Sequence, residues 1–557
     1  MKRFFKGYLF LLGLSIFSIL TGCGASSGGQ AQPSPKLQAN KPASVVTAGK
    51  TQPAMDMPVM AEQEMLEMDG KEGLKKESKE KDKADNFNTE AYNKIYENEF
   101  FEALKEPLST FSIDVDTAAY ANIRRFLMSG QMPYPDAVRI EELINYFTYD
   151  YPEPKGDEPF SFTTELTECP WNPAHKLLLI GLQAKKVSLE KLPPNNLTFL
   201  LDVSGSMSDP NKLPLLKGAM KLLINSLRPT DKISIVVYAG AAGVVLEPTP
   251  CSEKAKILEA LERLEAGGST AGGEGIKLAY DLAKKNFDKQ GNNRVILCTD
   301  GDFNVGASSD AEMVNLIEEK RKEGIFLTVL GFGMGNYKDS KMELLADKGN
   351  GNYAYIDNLM EAKKVLVTQM GGTLLTIAKD VKIQIEFNPA KVKEYRLIGY
   401  ENRILAAKDF DDDTKDAGEL GAGHTVTAIY EIVPSDGKIG SADLKYQTVQ
   451  VSEAAKASKE IAQIKFRYKP PTSDTSKLIV SPIYDESILW KNASMNLKWA
   501  AAVAEWGMLL RDSKFKGSAT YDHVIETAKS AIGADEFGYR KEFIQLVELS
   551  KGLAGKK

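Results

Sequence analysis

The chain has 557 residues, of which 43% are hydrophobic and 26% are charged, a composition typical of globular proteins with two or three domains. Its net charge is −6, and no Lys/Arg stripe runs alongside aromatic residues, which argues against nucleic acid as a partner. The three histidines are far apart in the sequence, and no His/Cys cluster has zinc-ligand spacing, so a zinc site of that kind is excluded.

The first 23 residues predict export and a lipid anchor. MKRFFKG is basic, and the apolar run YLFLLGLSIFSIL is too short to span a bilayer comfortably but suits a signal peptide. The next segment, LTGC, resembles a bacterial lipobox, which implies cleavage before Cys23 and a lipid on that cysteine. The alternative is a plain signal peptide with an incidental cysteine. Gly24 is not an inner-membrane retention aspartate, so an extracytoplasmic place on the outer membrane is favoured if the cell has one.

The segment after the lipobox predicts a tether and then a small folded module. Residues 24–87 are rich in Gly, Ser, Gln, Pro and then Lys and Glu, and they are expected to be disordered. Residues 88–157 have the pattern of an N-terminal α/β module with one strand and two helices. Asp116 or Thr117 is expected to cap the first helix, and Pro135 suits the start of the second.

Two separated segments predict one small β-sandwich. In residues 158–194 the run FSFTTELTE alternates apolar and polar positions, and so do VKIQIEF, TVTAIYEIV and AQIKFRY in residues 373–475. If these strands pair with one another, the segment between them is an insertion whose two ends emerge close together. Residues 476–557 predict a helical C-terminal extension.

The inserted segment, residues 195–372, alternates short apolar runs with amphipathic helical stretches. Its strand candidates are LTFLLDV, KISIVVYA, GVVLEP, RVILCTD and IFLTVLGF. Apolar strands between amphipathic helices indicate a mainly parallel, Rossmann-like sheet with helices on both faces. The predicted fold class is therefore α/β, with this unit inserted in the sandwich.

Two of these strands end in an acid, Asp202 after FLL and Asp300 after VILCT. Ligands bind outside the carboxyl ends of parallel strands, so both acids are expected at one crevice. Ser204 and Ser206 follow the first acid, and the glycine-flanked loop AGGSTAGGEG adds Thr270. Oxygen ligands of this kind suit a hard divalent cation. Neutral hydroxyls as direct ligands leave the ion electron-poor, so that a carboxylate from a partner can complete its shell.

DVSGSM, a later threonine and TDG occur in this order, and together they resemble the metal-ion-dependent adhesion site of a von Willebrand factor type A (vWA) domain. The resemblance implies direct ligation by Ser204, Ser206 and Thr270, with Asp202 and Asp300 acting largely through water. It implies Mg²⁺, or Ca²⁺ or Mn²⁺, as the ion. Flanking segments such as PDAVRIEELINYF and GMLLRDSKFKGSATYDHV are similar to a group of bacterial envelope lipoproteins that carry a vWA domain between two extensions.

Several of these motifs also have other interpretations, which stay open at this point. SGSMSD could be only a helix N-terminus, or an anion site there. DGDFNVG resembles a calcium loop whose glycine and glutamate positions do not fit, and the acidic run DFDDDTKD could be a solvated turn or a calcium site. Trp499 and Trp506 are expected in the core rather than in a partner-binding stripe. Cys169 and Cys251 could form a disulfide, whereas Cys298 is expected to be a buried thiol.

The function predicted from these features is binding. A membrane-anchored vWA protein would capture an acidic group on a protein partner through its cation, for adhesion, scaffolding or complex assembly. Hydrolase motifs such as GxSxG and HExxH do not occur, so the chain is not predicted to be an enzyme. The alternatives are a non-catalytic subunit of an envelope enzyme complex and a purely structural vWA protein.

Overall fold

A computed structural model describes residues 90–113, 116–188, 192–269, 272–301, 303, 310–335, 337–369, 372, 375–415, 417–437, 442–444, 446–471 and 473–555. The predicted signal peptide, lipobox and tether lie outside these residues, and so do Thr270 and Asp302. Over the described part of the chain, no helix has the length and apolar character needed to cross a membrane.

The described residues form strands in three larger sheets and one two-stranded sheet. In chain order they are β1 (Phe101–Glu102), β2 (Leu108–Ser112), β3 (Phe160–Glu168), β4 (Lys176–Ala184), β5 (Asn195–Asp202), β6 (Lys232–Tyr238), β7 (Ala242–Pro250), β8 (Asn292–Thr299), β9 (Ile325–Phe332), β10 (Tyr353–Ile356), β11 (Thr376–Phe387), β12 (Val392–Ile398), β13 (Gly418–Gly421), β14 (Thr425–Pro434), β15 (Ala442–Leu444), β16 (Gln447–Val449), β17 (Glu460–Lys469) and β18 (Lys477–Tyr484).

The helices of the described residues are α1 (Ala118–Met128), α2 (Ile140–Asn145), α3 (Leu213–Ser226), α4 (Lys254–Glu262), α5 (Gly272–Lys285), α6 (Asp310–Lys322), α7 (Asp339–Lys348), α8 (Leu359–Lys363), α9 (Glu453–Ala457), α10 (Met495–Arg511), α11 (Tyr521–Ser530) and α12 (Tyr539–Ala554). Short 3₁₀ turns cover Pro135–Ala137, Gly205–Ser208, Cys251–Glu253, Ala407–Phe410 and Trp490–Asn492, and Lys364–Thr368 is π-helical.

The central sheet confirms the predicted α/β unit. Its strand order is β10-β9-β8-β5-β6-β7, and every neighbouring pair is parallel except β6 with β7 at the edge. Every residue of β5 and β8 is buried, because helices cover both faces of the sheet. The sheet has a hydrophobic core on each face: α3 and α4 cover one core, and α5, α6 and α7 cover the other.

The β-sandwich is also confirmed, and the α/β unit is inserted in it. One sheet has the order β1-β12-β14-β4-β3, and the other has the order β13-β11-β17-β18 with β2 also paired to β11. β4 precedes the inserted unit and β14 follows it, yet they pair from Lys176↔Ile432 to Gln183↔Thr425. The N-terminal region contributes β1 and β2 to these sheets, and β18 extends the second sheet past residue 475, neither of which the sequence pattern indicated.

The C-terminal helices pack with α1 and α2 around one aromatic core. Trp499 and Trp506 are fully buried there, as expected for core residues. The indole Nε1 of Trp506 donates to Ser550 Oγ at 3.0 Å, so its polar atom is satisfied. Cys169, Cys251 and Cys298 are buried free thiols, so the disulfide considered for the first two is not formed.

The N-terminus of α1 differs from its expected cap. Thr117 is the N-cap residue but makes no side-chain capping bond. Instead Glu142 Oε2, 23 positions further along the chain, accepts the backbone N–H of Ala119 at 2.8 Å. Asp116 Oδ1 accepts the N–H of Tyr353 at 2.8 Å and thereby joins this region to the end of the central sheet. A distant carboxylate, that of Glu142, therefore takes the place of the local cap at this buried helix end.

The pair between α10 and α11 predicts a pH-dependent contribution to stability. His523 Nδ1 lies 2.7 Å from Glu505 Oε2, and this hydrogen bond raises the pKa of His523. The contribution is therefore complete below the unfolded-state pKa of about 6.5 and is lost as the pH rises through the higher folded-state value. We expect His523→Gln to lower the free energy of unfolding near pH 6 by about 1 kcal/mol or less, because the ring is partly exposed. Near pH 9 we expect no measurable change in the free energy of unfolding.

Urea unfolding between pH 6 and pH 9 measures this difference. Lys529→Gln is the matched control, because Lys529 lies on the same helix in an exposed pair with Glu548. A difference between the wild type and His523→Gln that stays constant over this pH range would contradict the prediction.

Candidate metal-binding site

Three strand ends meet at the carboxyl edge of the central sheet. Asp202 is the last residue of β5 and pairs in register with Tyr238, the last residue of β6. Asp300 directly follows β8, the neighbour of β5 on its other side. Because parallel strands end at one edge, the two acids that the sequence singled out lie on the same side of the sheet.

Asp202 is held rigidly by three neighbours. Its Oδ1 accepts the backbone N–H of Ser204 at 2.9 Å, and its Oδ2 accepts the hydroxyls of Tyr238 at 3.0 Å and Thr299 at 3.4 Å. Burial raises the pKa of this carboxyl, and the charge of Asp300 adds to the effect, while the bonds from Ser204 oppose it. Tyr238 and Thr299 were missed from the sequence, although both lie at the ends of strands next to β5.

The serine loop places two hydroxyls side by side. The Oγ atoms of Ser204 and Ser206 are 3.0 Å apart. Ser204 is buried, whereas Ser206 is exposed on the Gly205–Ser208 turn. One hydroxyl therefore lies at the base of the crevice and the other at its mouth.

The glycine-rich loop is joined to the serine loop by two backbone hydrogen bonds. Gly267 N donates to Val203 O at 2.8 Å, and Gly205 N donates to Gly268 O at 3.0 Å. The chain that leads to Thr270 therefore lies against Ser204 and Ser206. Thr270 itself lies outside the described residues.

Asp300 has a cationic neighbour that the sequence reasoning missed. It is fully buried, and its Oδ2 accepts a hydrogen bond from Lys212 Nζ at 2.9 Å. The next residue, Gly301, has a φ of 96°, and a Cβ there would lie 2.7 Å from Lys338 N, so only glycine fits in the TDG motif. The sequence feature that could have identified Lys212 is its position at the start of a helix, in the otherwise apolar run KLPLL.

The donor chemistry fits a hard divalent cation. Two buried carboxylates and two hydroxyls offer only oxygen, and with one ammonium group beside them the site carries excess negative charge. The same charge disfavours the anion site that a helix N-terminus alone would suggest. Among the described residues, no group of three or more His, Cys, Asp or Glu could hold a metal, so a site here depends on the hydroxyls.

Two histidines and the acidic run DFDDDTKD have contacts of their own outside this site. His175 Nδ1 contacts Glu431 Oε1 at 2.6 Å, and His523 pairs with Glu505, both in regions flanking the central sheet. In the acidic run considered as a calcium loop, Asp411 and Asp413 form ion pairs with Arg467 at 3.3 and 3.0 Å. Two of the acids in this run are therefore paired with the sandwich.

Three family models match the chain: "von Willebrand factor" over residues 86–179, "von Willebrand factor type A domain" over residues 197–302, and "Uncharacterized protein YfbK, C-terminal" over residues 372–553. YfbK of Escherichia coli (strain K12) is 43% identical over 474 residues, which cover 84% of this chain and 82% of YfbK. The protein sll0103 of Synechocystis is 26% identical over 317 residues, 56% of this chain and 70% of that protein.

Among solved structures, a von Willebrand factor type A protein from Catenulispora acidiphila matches 71% of this chain and 91% of its own, with 15% identity and a TM-score of 0.39. The ArnB paralog VWA2 from Sulfolobus acidocaldarius matches 71% of this chain and 98% of its own, with 12% identity and a TM-score of 0.35. The descriptions of these relatives and structures name no catalytic activity.

Proposed function

The chain belongs to the YfbK family of vWA-domain proteins, and on this basis we propose that it is a lipid-anchored envelope protein that binds a divalent cation and, through it, an acidic group on a partner protein. The proposed ion is Mg²⁺, with Ca²⁺ or Mn²⁺ as alternatives, and the proposed role is binding rather than catalysis. The observation that carries the proposal is the convergence of two buried carboxylates, Asp202 and Asp300, with the paired hydroxyls of Ser204 and Ser206.

Each residue of the site has a distinct part in this proposal. Ser204, Ser206 and Thr270 are the proposed direct ligands, and the two aspartates balance the charge and hold water. The hydrogen bonds of Asp202 to Ser204 N and Tyr238 fix its carboxylate before any ion arrives. A bound Mg²⁺ would supply a Lewis-acidic position that accepts a carboxylate oxygen from the partner.

The proposed anchor and location come from the first residues of the chain. The lipobox at Cys23 supports attachment to a membrane by lipid, and the predicted tether after it would let the vWA domain reach partners in the envelope. No nucleic acid is proposed as a partner, since the net charge is negative.

A Mg²⁺ titration of the full chain in detergent tests the metal claim. At a Mg²⁺ concentration about tenfold above Kd, binding to the folded state alone should add about 1.4 kcal/mol of stability and raise the Tm. Asp202→Asn should lose this increase, because it removes one of two buried negative charges but keeps a side-chain oxygen for Ser204 N.

Asp209→Asn is the matched control, since Asp209 lies in the same loop with 65% of its side chain exposed. It should respond to Mg²⁺ as the wild type does. Equal Mg²⁺ responses of the wild type and Asp202→Asn, or no response of the wild type, would rule out a functional cation at this site.

A further inference from the structure

We propose that Lys212 is a built-in cation of the metal site, whose ammonium group neutralises Asp300 and thereby lowers the affinity of the site for divalent cations. This inference rests on the proposed cation binding and concerns its regulation. Lys212 would set the cation concentration at which the site fills, so that loading stays reversible.

The contact with Asp300 is direct and buried. Lys212 Nζ lies 2.9 Å from Asp300 Oδ2, with only 6% of the lysine side chain and none of the aspartate side chain exposed. In the part of the chain that the structure describes, the other carboxylate within ion-pair distance of Nζ is that of Asp209, which is 4.0 Å away and largely exposed, so water weakens its influence. The ammonium group of Lys212 therefore interacts mainly with Asp300.

The stem of Lys212 is held in place by the loop after β9. Gly333 has a φ of 75°, and a Cβ there would lie 2.4 Å from Lys212 Cε and 2.7 Å from Cγ. The aliphatic part of the Lys212 side chain therefore packs directly on the backbone of Gly333. The carbonyl oxygen of Gly333 accepts the hydroxyl of Tyr355 at 2.5 Å, and Gly335 N donates to Glu90 Oε1 at 2.8 Å. A lysine confined in this way is part of the site rather than a mobile surface charge.

The charge balance gives the direction of the effect. Asp202 and Asp300 with Lys212 leave one net negative charge, whereas the two aspartates without Lys212 leave two. A divalent cation entering a buried site is attracted in proportion to that charge and is repelled by a fixed ammonium group nearby. After loading, the site with Lys212 has one net positive charge, which favours a carboxylate from outside.

The experiment measures Mn²⁺ binding to the full chain in detergent, with the EPR signal of free Mn²⁺ as the readout. Lys212→Met removes the charge and keeps the stem, and Lys212→Gln removes the charge but can still donate to Asp300. Both should bind Mn²⁺ about 10- to 100-fold more tightly than the wild type. Lys221→Met is the matched control, because Lys221 lies on the same helix with 44% of its side chain exposed, and it should leave the Kd unchanged.

Melting in EDTA provides a second measurement. Without Lys212 the two buried aspartates lose an ammonium group that balances their charge, so both variants should melt below the wild type in EDTA and recover in Mn²⁺. Equal Mn²⁺ affinity of the wild type and both variants would overturn this inference and leave the proposed function intact. If only the two variants bind Mn²⁺, the inference is supported. In that case Lys212 takes the place of the ion in the wild type, and the proposed function is overturned. Absence of binding in all proteins would overturn both.

Discussion

Replacing Arg124 with methionine is expected to lower the free energy of unfolding by about 3–5 kcal/mol. Arg124 lies on α1 with 3% of its side chain exposed, and its guanidinium reaches three carboxylates. Its Nε donates to Asp357 Oδ2 at 2.7 Å, Nη2 donates to Glu361 Oε2 at 2.8 Å, and Nη1 donates to Glu542 Oε2 at 2.9 Å. One side chain therefore joins the N-terminal region, the end of the vWA unit and the last helix.

The large effect follows from the carboxylates that remain. Glu361 has 1% of its side chain exposed and Asp357 has 9%, so without Arg124 they become poorly compensated buried charges. Burial raises the pKa of Glu361, but Lys364 and Arg124 outweigh burial and lower it, whereas burial raises the pKa of Asp357 despite its bonds from Arg124.

Urea unfolding followed by tryptophan fluorescence measures the change. Arg263→Met is the matched control, because Arg263 pairs with Glu259 on the surface with 68% and 70% of the two side chains exposed, and such pairs contribute about 0–1 kcal/mol. If Arg124→Met changed the free energy of unfolding as little as this control, the ion pairs of Arg124 would not be what stabilises the vWA unit against its flanking regions.

Replacing both Ser204 and Ser206 with alanine is expected to weaken Mg²⁺ binding about 100-fold, equivalent to about 2.7 kcal/mol. The two hydroxyls are the proposed direct ligands in the described part of the site, and their Oγ atoms are 3.0 Å apart. Alanine removes both oxygens but leaves the backbone N–H of Ser204 free to donate to Asp202. Mg²⁺ binding should therefore weaken without loss of the fold.

Isothermal titration with Mg²⁺ measures the affinity, and melting in EDTA checks the fold. Ser208→Ala is the matched control, because Ser208 is exposed in the same loop and is not a proposed ligand. The double variant should melt in EDTA close to the wild type, since the lost contacts are small. An unchanged Mg²⁺ affinity would refute hydroxyl ligation by these serines.

The ion pairs between the vWA unit and its flanking regions bear on how a partner would be presented. Arg139 of the N-terminal region donates to Asp339 Oδ1 at 3.2 Å, and Arg403 of the sandwich donates to Asp347 Oδ2 at 2.8 Å, both on α7. These largely buried pairs, with the Arg124 cluster, hold the vWA unit against both flanking regions. A partner captured at the carboxyl edge of the sheet would therefore be held in a fixed orientation relative to the sandwich.

The placement of Asp202 and Asp300 could be predicted from the sequence because it follows a local rule. Each acid ends an apolar run between helices, and parallel strands all end at one edge, so their proximity needs no knowledge of distant contacts. That strands on the two sides of the insertion pair with each other, as β4 does with β14, was predictable because an insertion must return near its start.

Lys212 and Arg124 could not be placed in this way. Their roles depend on which distant residue lies opposite: Lys212 meets Asp300 88 positions away, and Arg124 meets Glu542 418 positions away. The cap of α1 is a further case, since a carboxylate from α2 took the place of the expected local side chain.

The sequence by itself determined the alternating strands and helices of the vWA unit and the acids at two of its strand ends, because periodicity and turn chemistry act over a few residues. Only the tertiary structure decided which charges share a buried space, which strands of the N-terminal region complete the sandwich and which cation neutralises Asp300. The reason is physical: a buried charge must be balanced by whatever group the whole fold brings within hydrogen-bond distance, and sequence spacing carries no record of that distance.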